Sequence, residues 1–295
     1  MSTLVNTDRL ATSSSYQGDP KGDDDLMSAH NLPRGTPEVI GSNAAGIRRR
    51  LIEELKLGKG GQYVLVTNVS PELVEQSIEK RVKVLGCNCQ ITYDADIRRM
   101  IVKLPGGPHE VFAGYFDTEI ANQTQAMNLA HELRSIRSKT HRDGSYAKEA
   151  DSCFRPRVLP AGRSLDWPTL VLECGWAESL ARLRTDASWW FAHSGGQVKV
   201  VIIVSIKKDP YELHIERYSC ETQQTRARTR YTSVLEQTVK VYCDSYWIIE
   251  TVDDPLIIPF TEAMLRTPVR PLEGDFIFDR EKLISLAIDV WNEPV

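Results

Sequence analysis

Two acidic side chains stand at strand ends, where a buried carboxylate needs a partner. Asp151 opens a short strand-like segment, and Glu173 lies near the end of the apolar segment TLVLEC. A buried carboxylate is costly unless it is paired, hydrogen-bonded or bound to a cation. Acids on neighbouring strands lie about 5 Å apart and can bind one divalent ion. We therefore expect Asp151 and Glu173 to bind a metal, although Asp151 could instead form local hydrogen bonds in a turn.

A lysine on the next strand could complete this cluster. Lys199 lies near the start of that strand, among apolar residues, and could point toward the two acids. A metal ion there would activate water, and the ammonium would stabilise negative charge that develops on a phosphate. The alternative is that Lys199 reaches solvent, as strand-edge lysines commonly do. Glu132 could supply a third acid from a preceding helix, or it could face solvent.

The elements that would position these residues form an α/β pattern. Apolar spacing predicts helices over 44–57, 71–85, 122–137, 178–193 and 280–291. Runs of β-branched and apolar residues predict strands over 62–69, 90–93, 97–104, 151–154, 169–174, 198–206, 212–220, 230–242 and 256–260. The expected fold is a mixed central sheet flanked by helices, with additional antiparallel strands toward the C-terminus.

The chain divides into four regions by composition. Residues 1–35 are rich in Ser, Asp, Gly and Pro, which predicts a disordered tail. Residues 36–105 predict an N-terminal α+β region, and 106–210 predict the α/β core that carries the two acids. Residues 211–295 predict the C-terminal strands and a closing helix.

Two segments of the core resemble a known superfamily. GSYAKEADSCFRP, followed by PTLVLECGWAESLARLRTDASWWFAHSGGQVKVVIIVSI, is similar to the core of PD-(D/E)XK restriction-endonuclease-like proteins. The similarity is greatest to a fungal group in which a KEPD-type segment precedes a VxVEVGxSES segment, and it covers about residues 109–207. The resemblance implies a restriction-endonuclease-like fold. By position, Asp151 matches the metal-binding Asp of the first half-motif and Glu173 the acid of the second.

The motif differs from this pattern at two positions. Ala150 replaces the Pro before the aspartate, and Gly175 stands where the second half-motif has its Lys. The superfamily is known for moving this Lys to a neighbouring element, and Lys199 is our expected replacement. Lys148 and Arg184 are weaker candidates for the same role.

The resemblance implies a metal-dependent nuclease that hydrolyses phosphodiester bonds in DNA. Asp151 and Glu173 would hold Mg²⁺ or Mn²⁺, Lys199 would position the attacking water, and a homodimer would cut two strands. The missing Lys keeps two alternatives open: an enzyme that uses the same residues on a small molecule, or an inactive binding module. Residues expected to contact substrate are Lys148, Arg155, Arg157 and Arg184.

The overall charge requires any nucleic-acid contact to be local. The chain has 295 residues with 36 Lys+Arg and 40 Asp+Glu, a net charge of −4, which excludes a chain-wide basic field. Residues 133–157 nevertheless contain seven basic and three acidic residues, a local excess of +4. Arg226, Arg228 and Arg230 alternate, so an extended strand would point all three one way, along a phosphate backbone or toward solvent.

Other functional classes lack their sequence signatures. The chain contains no GxGxxG, GxxxxGK[ST], HExxH or GxSxG motif. The N-terminus lacks a signal-peptide pattern, and the longest apolar run, over 198–206, is shorter than the ~18 residues of a membrane span. We expect an intracellular protein, cytoplasmic or nuclear, with its six cysteines reduced and no membrane partner.

Overall fold

The computed structural model describes residues 31–57, 62–137, 139–176, 180–226 and 228–294. Most of the predicted tail and the first residues of the helix predicted from Glu178 lie outside this part of the chain. Its helices are α1 Ala44–Leu57, α2 Pro71–Glu79, α3 Arg81–Leu85, α4 Gly107–Ala126, α5 Leu180–His193, α6 Phe260–Met264 and α7 Arg280–Asn292. No helix in the described part is both long and apolar enough to cross a membrane.

The strands form two large sheets and one small sheet. Those before the core are β1 Glu38–Ile40, β2 Tyr63–Thr67, β3 Gln90–Asp94 and β4 Arg99–Lys103. The predicted core contributes β5 Leu133–Ser135, β6 His141–Asp143, β7 Tyr146–Lys148, β8 Ser152–Pro156, β9 Leu170–Trp176 and β10 Val200–Lys208. The C-terminal strands are β11 Tyr211–Gln224, β12 Thr229–Cys243, β13 Ile249–Val252, β14 Leu256–Ile258 and β15 Phe276–Phe278.

The sheet topology agrees with the expected mixed α/β class. The six-stranded sheet has the order β1-β2-β4-β3-β7-β6, and the seven-stranded sheet has the order β13-β12-β11-β10-β9-β8-β5. In the larger sheet β9 and β10 are parallel, whereas β8, β11, β12 and β13 pair antiparallel. The C-terminal strands are therefore antiparallel, as predicted. The six-stranded sheet takes β6 and β7 from the region predicted as the core.

The larger sheet is covered by helices on both faces because its central strands are apolar on both sides. Leu170 and Leu172 of β9 pack with residues of α4 and α7 on one face. Val171 packs against α5 on the other face, beside Trp190. Side chains alternate along a strand, so Glu173 faces α5 with Val171. This face lies toward the six-stranded sheet, and the candidate site lies there.

The helix predicted over 122–137 is wrong. The helix α4 begins at Gly107, directly before Pro108, and ends at Ala126. Asn128 and His131 then have positive φ angles of 58° and 73°, which a continuing helix does not allow. Of the apolar residues that suggested a helix, Leu129 lies in a turn and Leu133 in β5, and both are buried in the core. The helix predicted over 71–85 is interrupted at Lys80, which separates α2 from α3.

Candidate functional site

The structure brings Asp151 and Glu173 together, as the sequence predicts. Asp151 directly precedes β8, and β8 pairs with β9 so that Ser152 lies opposite Leu172. The two carboxyls are almost fully buried, with 2% and 3% of each residue exposed. The backbone N–H of Cys174 donates a hydrogen bond of 2.6 Å to Asp151 Oδ2. The strand pairing therefore explains why the two acids meet.

A lysine from the other sheet lies between the two acids. Lys103 ends β4, and its Nζ donates to Asp151 Oδ2 at 2.5 Å and to the Cys174 carbonyl at 2.7 Å. The same Nζ lies 4.0 Å from Glu173 Oε2. Lys103 is only 8% exposed, so its ammonium is largely shielded from solvent. The ammonium of Lys103 thus lies where the expectation placed that of Lys199.

The second oxygen of Glu173 is held from the α5 side. Trp190 Nε1 donates a hydrogen bond of 2.7 Å to Glu173 Oε1, and Lys148 Nζ lies 3.4 Å from the same oxygen. Lys148 also contacts Asp186 of α5, which is paired with Arg182 at 3.0 Å. These contacts fix the orientation of Glu173 and leave Oε2 directed toward Lys103.

A further ion pair completes the buried charge network. Glu149 accepts hydrogen bonds from Arg81, from the backbone N–H of Ile91 at 3.1 Å and from Thr140 Oγ1 at 2.6 Å. The network between the two sheets contains four acids, Asp151, Glu173, Asp186 and Glu149, and four bases, Lys103, Lys148, Arg182 and Arg81. Its formal charges balance, which is what burial of ionised groups requires.

Burial and neighbouring charges move the pKa values of the two acids in opposite directions. Burial acts to raise the pKa of Asp151, but the Lys103 ammonium and the Cys174 N–H together hold it below the usual value. Burial raises the pKa of Glu173 to about 7, with the Lys148 ammonium acting in the opposite direction. Asp151 is therefore ionised at neutral pH, whereas Glu173 can gain or lose a proton there.

The structure does not bring Lys199 to the acids. Glu173 pairs with Ile203 of β10, and Lys199 lies four residues earlier, about 13 Å along the strand at 3.3 Å per residue. Its Nζ donates to the Gly196 carbonyl at 2.8 Å. There Lys199 and Arg163 line a surface cavity of about 720 Å³. The strand predicted over 198–206 is present as β10, but its register with β9 places Glu173 opposite Ile203 and far from Lys199.

Only part of the predicted substrate-binding set is accessible. Lys148 is buried in the ion network. Arg184 forms hydrogen bonds to both carboxylate oxygens of Glu216, at 3.0 Å and 2.6 Å. Arg155 donates to the Leu165 carbonyl, and Arg157 is exposed. Of the predicted set, Arg157 is therefore the residue most open to a ligand.

Four of the seven bases in the segment 133–157 are neutralised in three dimensions. Its bases pair with acids from outside the segment: Arg137 with Asp117, Lys139 with Asp166, Arg142 with Glu75 and Lys148 with Asp186. A count along the sequence cannot include partners that folding brings from elsewhere. Arg134, Arg155 and Arg157 form no ion pair with the described residues, and Arg134 lies opposite Arg155 where β5 pairs with β8, so the basic character of the segment is confined to these three residues.

The sequence offered Glu132 as a third acid for the site, but the acid that lies beside the start of β8 is Asp117 of α4. Glu132 lies in a turn with a 54% exposed side chain, 3.9 Å from Arg266. Asp117 of α4 instead accepts a hydrogen bond from Ser152 and lies 3.3 Å from Arg137. Arg137 Nε in turn donates to the Asp151 carbonyl at 3.1 Å. Because the Arg137 side chain is 40% exposed, this chain of contacts links Asp151 to the surface.

The oxygens at the centre of the cluster are of the kind that bind divalent cations. Within the described residues, no three His, Cys, Asp or Glu side chains form a group that could hold a metal. Two carboxylates and the Cys174 carbonyl do converge, and Asp151 Oδ1 is buried without a hydrogen-bond partner. Mg²⁺ commonly uses one or two carboxylates and fills its other positions with water and substrate phosphate. The point of convergence is the place that the Lys103 ammonium takes.

The cavity beside these residues is very small. Its volume is about 10 Å³, and its lining includes Lys103, Lys148, Glu173 and Asp186. A cavity needs roughly 10–15 Å³ to hold one water molecule, so this space accepts at most one.

Sequence reasoning missed Lys103, although a usable signal was present. Lys103 ends the apolar strand RMIVK, as Glu173 lies near the end of TLVLEC. A charged residue at the end of a buried strand needs an opposite charge, whatever its own sign. Asp186 and Arg182 gave a weaker signal, because they lie on a helix where polar residues commonly face solvent.

Comparison with known proteins gives one solved structure to report. No protein-family model matches the chain, and no curated protein matches it. The crystal structure of a candidate nuclease belonging to DUF820 from Anabaena variabilis ATCC 29413 is similar with a TM-score of 0.36 and 12% sequence identity. The match covers 67% of this chain and 90% of that chain. Similarity at this level does not assign a fold family or a function.

Proposed function

We propose that this protein is a metal-dependent nuclease of the restriction-endonuclease-like class, which hydrolyses phosphodiester bonds in DNA. The observation that supports the proposal is the convergence of Asp151 Oδ2, Glu173 Oε2 and the Cys174 carbonyl on one point, which the Lys103 ammonium takes. Two acids and a lysine in this arrangement are suited to phosphodiester hydrolysis.

Each residue has a distinct task in the proposed reaction. Asp151 and Glu173 hold Mg²⁺ or Mn²⁺, which supplies Lewis-acid polarisation of the phosphate and a more acidic bound water. Trp190 and Lys148 keep Glu173 in its orientation. The Lys103 ammonium stabilises the negative charge that develops on the phosphate oxygens. Lys103 therefore replaces Lys199 as the lysine of the proposed site.

A projecting ribbon supports DNA as the partner. The strand β10 pairs with β11 only as far as Ser219, whereas the pairing of β11 with β12 continues to Gln224 and Thr229. This ribbon tip, residues 220–224 and 228–233, carries Arg228 and Arg230, and the exposed Arg226 lies at its turn. No ion pair joins these arginines to the residues that the structure describes. A two-stranded ribbon fits the major groove of B-DNA, which is about 12 Å wide.

The distance from the ribbon tip to the level of the acids corresponds to a short stretch of duplex DNA. Glu216 of β11 lies level with Glu173 through Ile203. From Glu216 to Gln224 the strand advances by about 26 Å at 3.3 Å per residue. This length equals about eight base pairs of B-DNA at 3.4 Å each. A duplex of about this length therefore spans the distance along the strand between the ribbon tip and the level of Glu173. A homodimer that cuts both strands is part of the proposal.

Cleavage of supercoiled plasmid tests the proposal. The wild-type protein should nick plasmid with Mg²⁺ or Mn²⁺ and not with EDTA, and Asp151→Asn and Glu173→Gln should each lose this activity. Asp166→Asn is the control, because Asp166 forms an exposed ion pair with Lys139 away from the site. Thermal unfolding checks that all variants are folded. Absence of metal-dependent nicking by the wild type on any form of DNA would contradict the proposal.

The closed and charge-balanced network favours a second candidate, a DNA-binding module without cleavage. Four acids already have four basic partners, and the adjacent cavity of about 10 Å³ excludes an organic substrate in this conformation. The same cavity argues against the small-molecule enzyme. Two assays together separate the remaining candidates: both would bind duplex DNA in a gel-shift assay in EDTA, but only the nuclease would nick plasmid when Mg²⁺ or Mn²⁺ is added.

A further inference from the structure

The position of the Lys103 ammonium has a consequence for cation binding. Its Nζ lies 2.5 Å from Asp151 Oδ2, 2.7 Å from the Cys174 carbonyl and 4.0 Å from Glu173 Oε2. These oxygens come from two adjacent strands, whereas Lys103 comes from the other sheet. The lysine therefore occupies the same oxygens that a divalent cation bound between the two acids would need.

Charge balance prevents both cations from sharing the site. With all eight groups ionised, the network is neutral when Lys103 is in place. Adding a divalent cation beside Lys103 would leave two excess positive charges in a region where the acids are at most 5% exposed. Unbalanced buried charge is strongly unfavourable. Loss of the ammonium from the oxygens would remove half of this excess.

We propose that the Lys103 ammonium and a divalent cation compete for Asp151, Glu173 and the Cys174 carbonyl. Lys103 is then an internal counter-ion that keeps the acids paired when no metal is bound. Metal binding displaces the ammonium from the oxygens, after which it is free to act on the phosphate. The inference rests on the metal site of the proposed function, but it does not require that the protein cleaves DNA.

Competition predicts opposite effects of one substitution on two measurements. Lys103→Met removes the competing charge and keeps the length and apolar character of the stem. The affinity for Mn²⁺ should rise at least tenfold, a change of about 1.4 kcal/mol in binding free energy. Plasmid nicking should fall, because the ammonium that stabilises the phosphate is absent. If Lys103 had a purely structural role, its replacement by Met would not raise the affinity for Mn²⁺.

Calorimetric titration with MnCl₂ after EDTA treatment and desalting makes the test. The full-length wild type is compared with K103M, with K103Q as a second variant, and with Lys139→Met as a matched control. Lys139 forms an ion pair with Asp166 at 2.9 Å, and its side chain is 35% exposed, so K139M should bind Mn²⁺ like the wild type. Asp151→Asn should abolish binding. Thermal unfolding identifies which of the two Lys103 variants is folded.

The outcomes separate this inference from the proposed function. Tighter Mn²⁺ binding by K103M or K103Q supports competition, whether or not the wild type nicks DNA. Equal binding by the wild type and the Lys103 variants, with loss in Asp151→Asn, would overturn competition and leave the metal site intact. Failure of every form to bind Mn²⁺ would overturn both the competition and the metal site. Absence of nicking in a protein that binds Mn²⁺ would overturn only the nuclease activity.

Discussion

The raised pKa of Glu173 predicts a specific dependence of stability on pH. Burial raises this pKa from 4.5 to about 7. A carboxyl whose pKa is raised in the folded state stabilises the fold below its unfolded pKa, and this contribution is lost as the pH rises through 7. Two and a half pKa units at 1.36 kcal/mol each allow a total of about 3 kcal/mol. Between pH 5 and pH 8 the loss should be about 2–3 kcal/mol.

Removal of the Glu173 carboxyl should remove its contribution to the pH dependence of stability. We predict that Glu173→Gln and Glu173→Met each become more stable relative to the wild type by about 2–3 kcal/mol when the pH rises from 5 to 8. The absolute stabilities of the two variants will differ, because Gln can still accept from Trp190 Nε1 and Met cannot. Urea unfolding of the wild type and both variants at pH 5 and pH 8 gives the stability difference between each variant and the wild type at each pH. A stability difference between variant and wild type that does not change with pH would refute the reasoning.

Three further predictions concern the surroundings of the site. Burial lowers the pKa of His109 to about 4, so protonation of His109 should contribute up to about 3 kcal/mol of destabilisation between pH 7 and pH 4, opposite in sign to the contribution of Glu173. His109→Gln should remove this contribution to the pH dependence of stability in chemical unfolding, and an unchanged pH dependence would count against the lowered pKa of His109. Lys148→Met should cost about 3–5 kcal/mol in urea unfolding, because it removes the buried positive charge that Glu173 and Asp186 share; a loss below about 1 kcal/mol would contradict the buried network. Gly196→Ala should lower the melting temperature more than Gly162→Ala. Both have positive φ, but only at Gly196 would a Cβ meet the Tyr231 ring, at 2.7 Å; equal effects would show that this contact is unimportant.

The acids of the site were predictable because their signal is local. Asp151 and Glu173 are carboxylates at the ends of short apolar strands, and burial of such groups demands a partner wherever the strands lie. The strand pair β8 and β9 then brings them together without any long-range information beyond adjacency. The mixed α/β class was predictable for a similar reason, since it depends on the periodicity within each element.

The lysine was not predictable in the same way because its position depends on register and on the second sheet. Lys199 lies on the expected strand but about 13 Å from the row of Glu173. Lys103 precedes Asp151 by 48 residues and reaches it only because β4 of one sheet faces the end of β9 in the other. Chain order contains no record of which sheets pack together.

The helix boundary and the basic segment failed for related physical reasons. Leu129 and Leu133 have helical spacing, but positive φ at Asn128 and His131 ends the helix and lets both residues reach the core through a turn and a strand. The count of +4 over 133–157 overstates the local charge because acids such as Asp117 come from outside the segment. Both errors arise because apolar spacing and charge counts describe a segment in isolation.

The central claim is that Asp151 and Glu173 form a site for a divalent cation. The most direct measurement is an anomalous difference map from a crystal soaked in MnCl₂. The account predicts a peak between Asp151 and Glu173, with the Lys103 ammonium moved away from Asp151 Oδ2. A map with no peak there, and with Lys103 still bonded to Asp151 at saturating Mn²⁺, would contradict it.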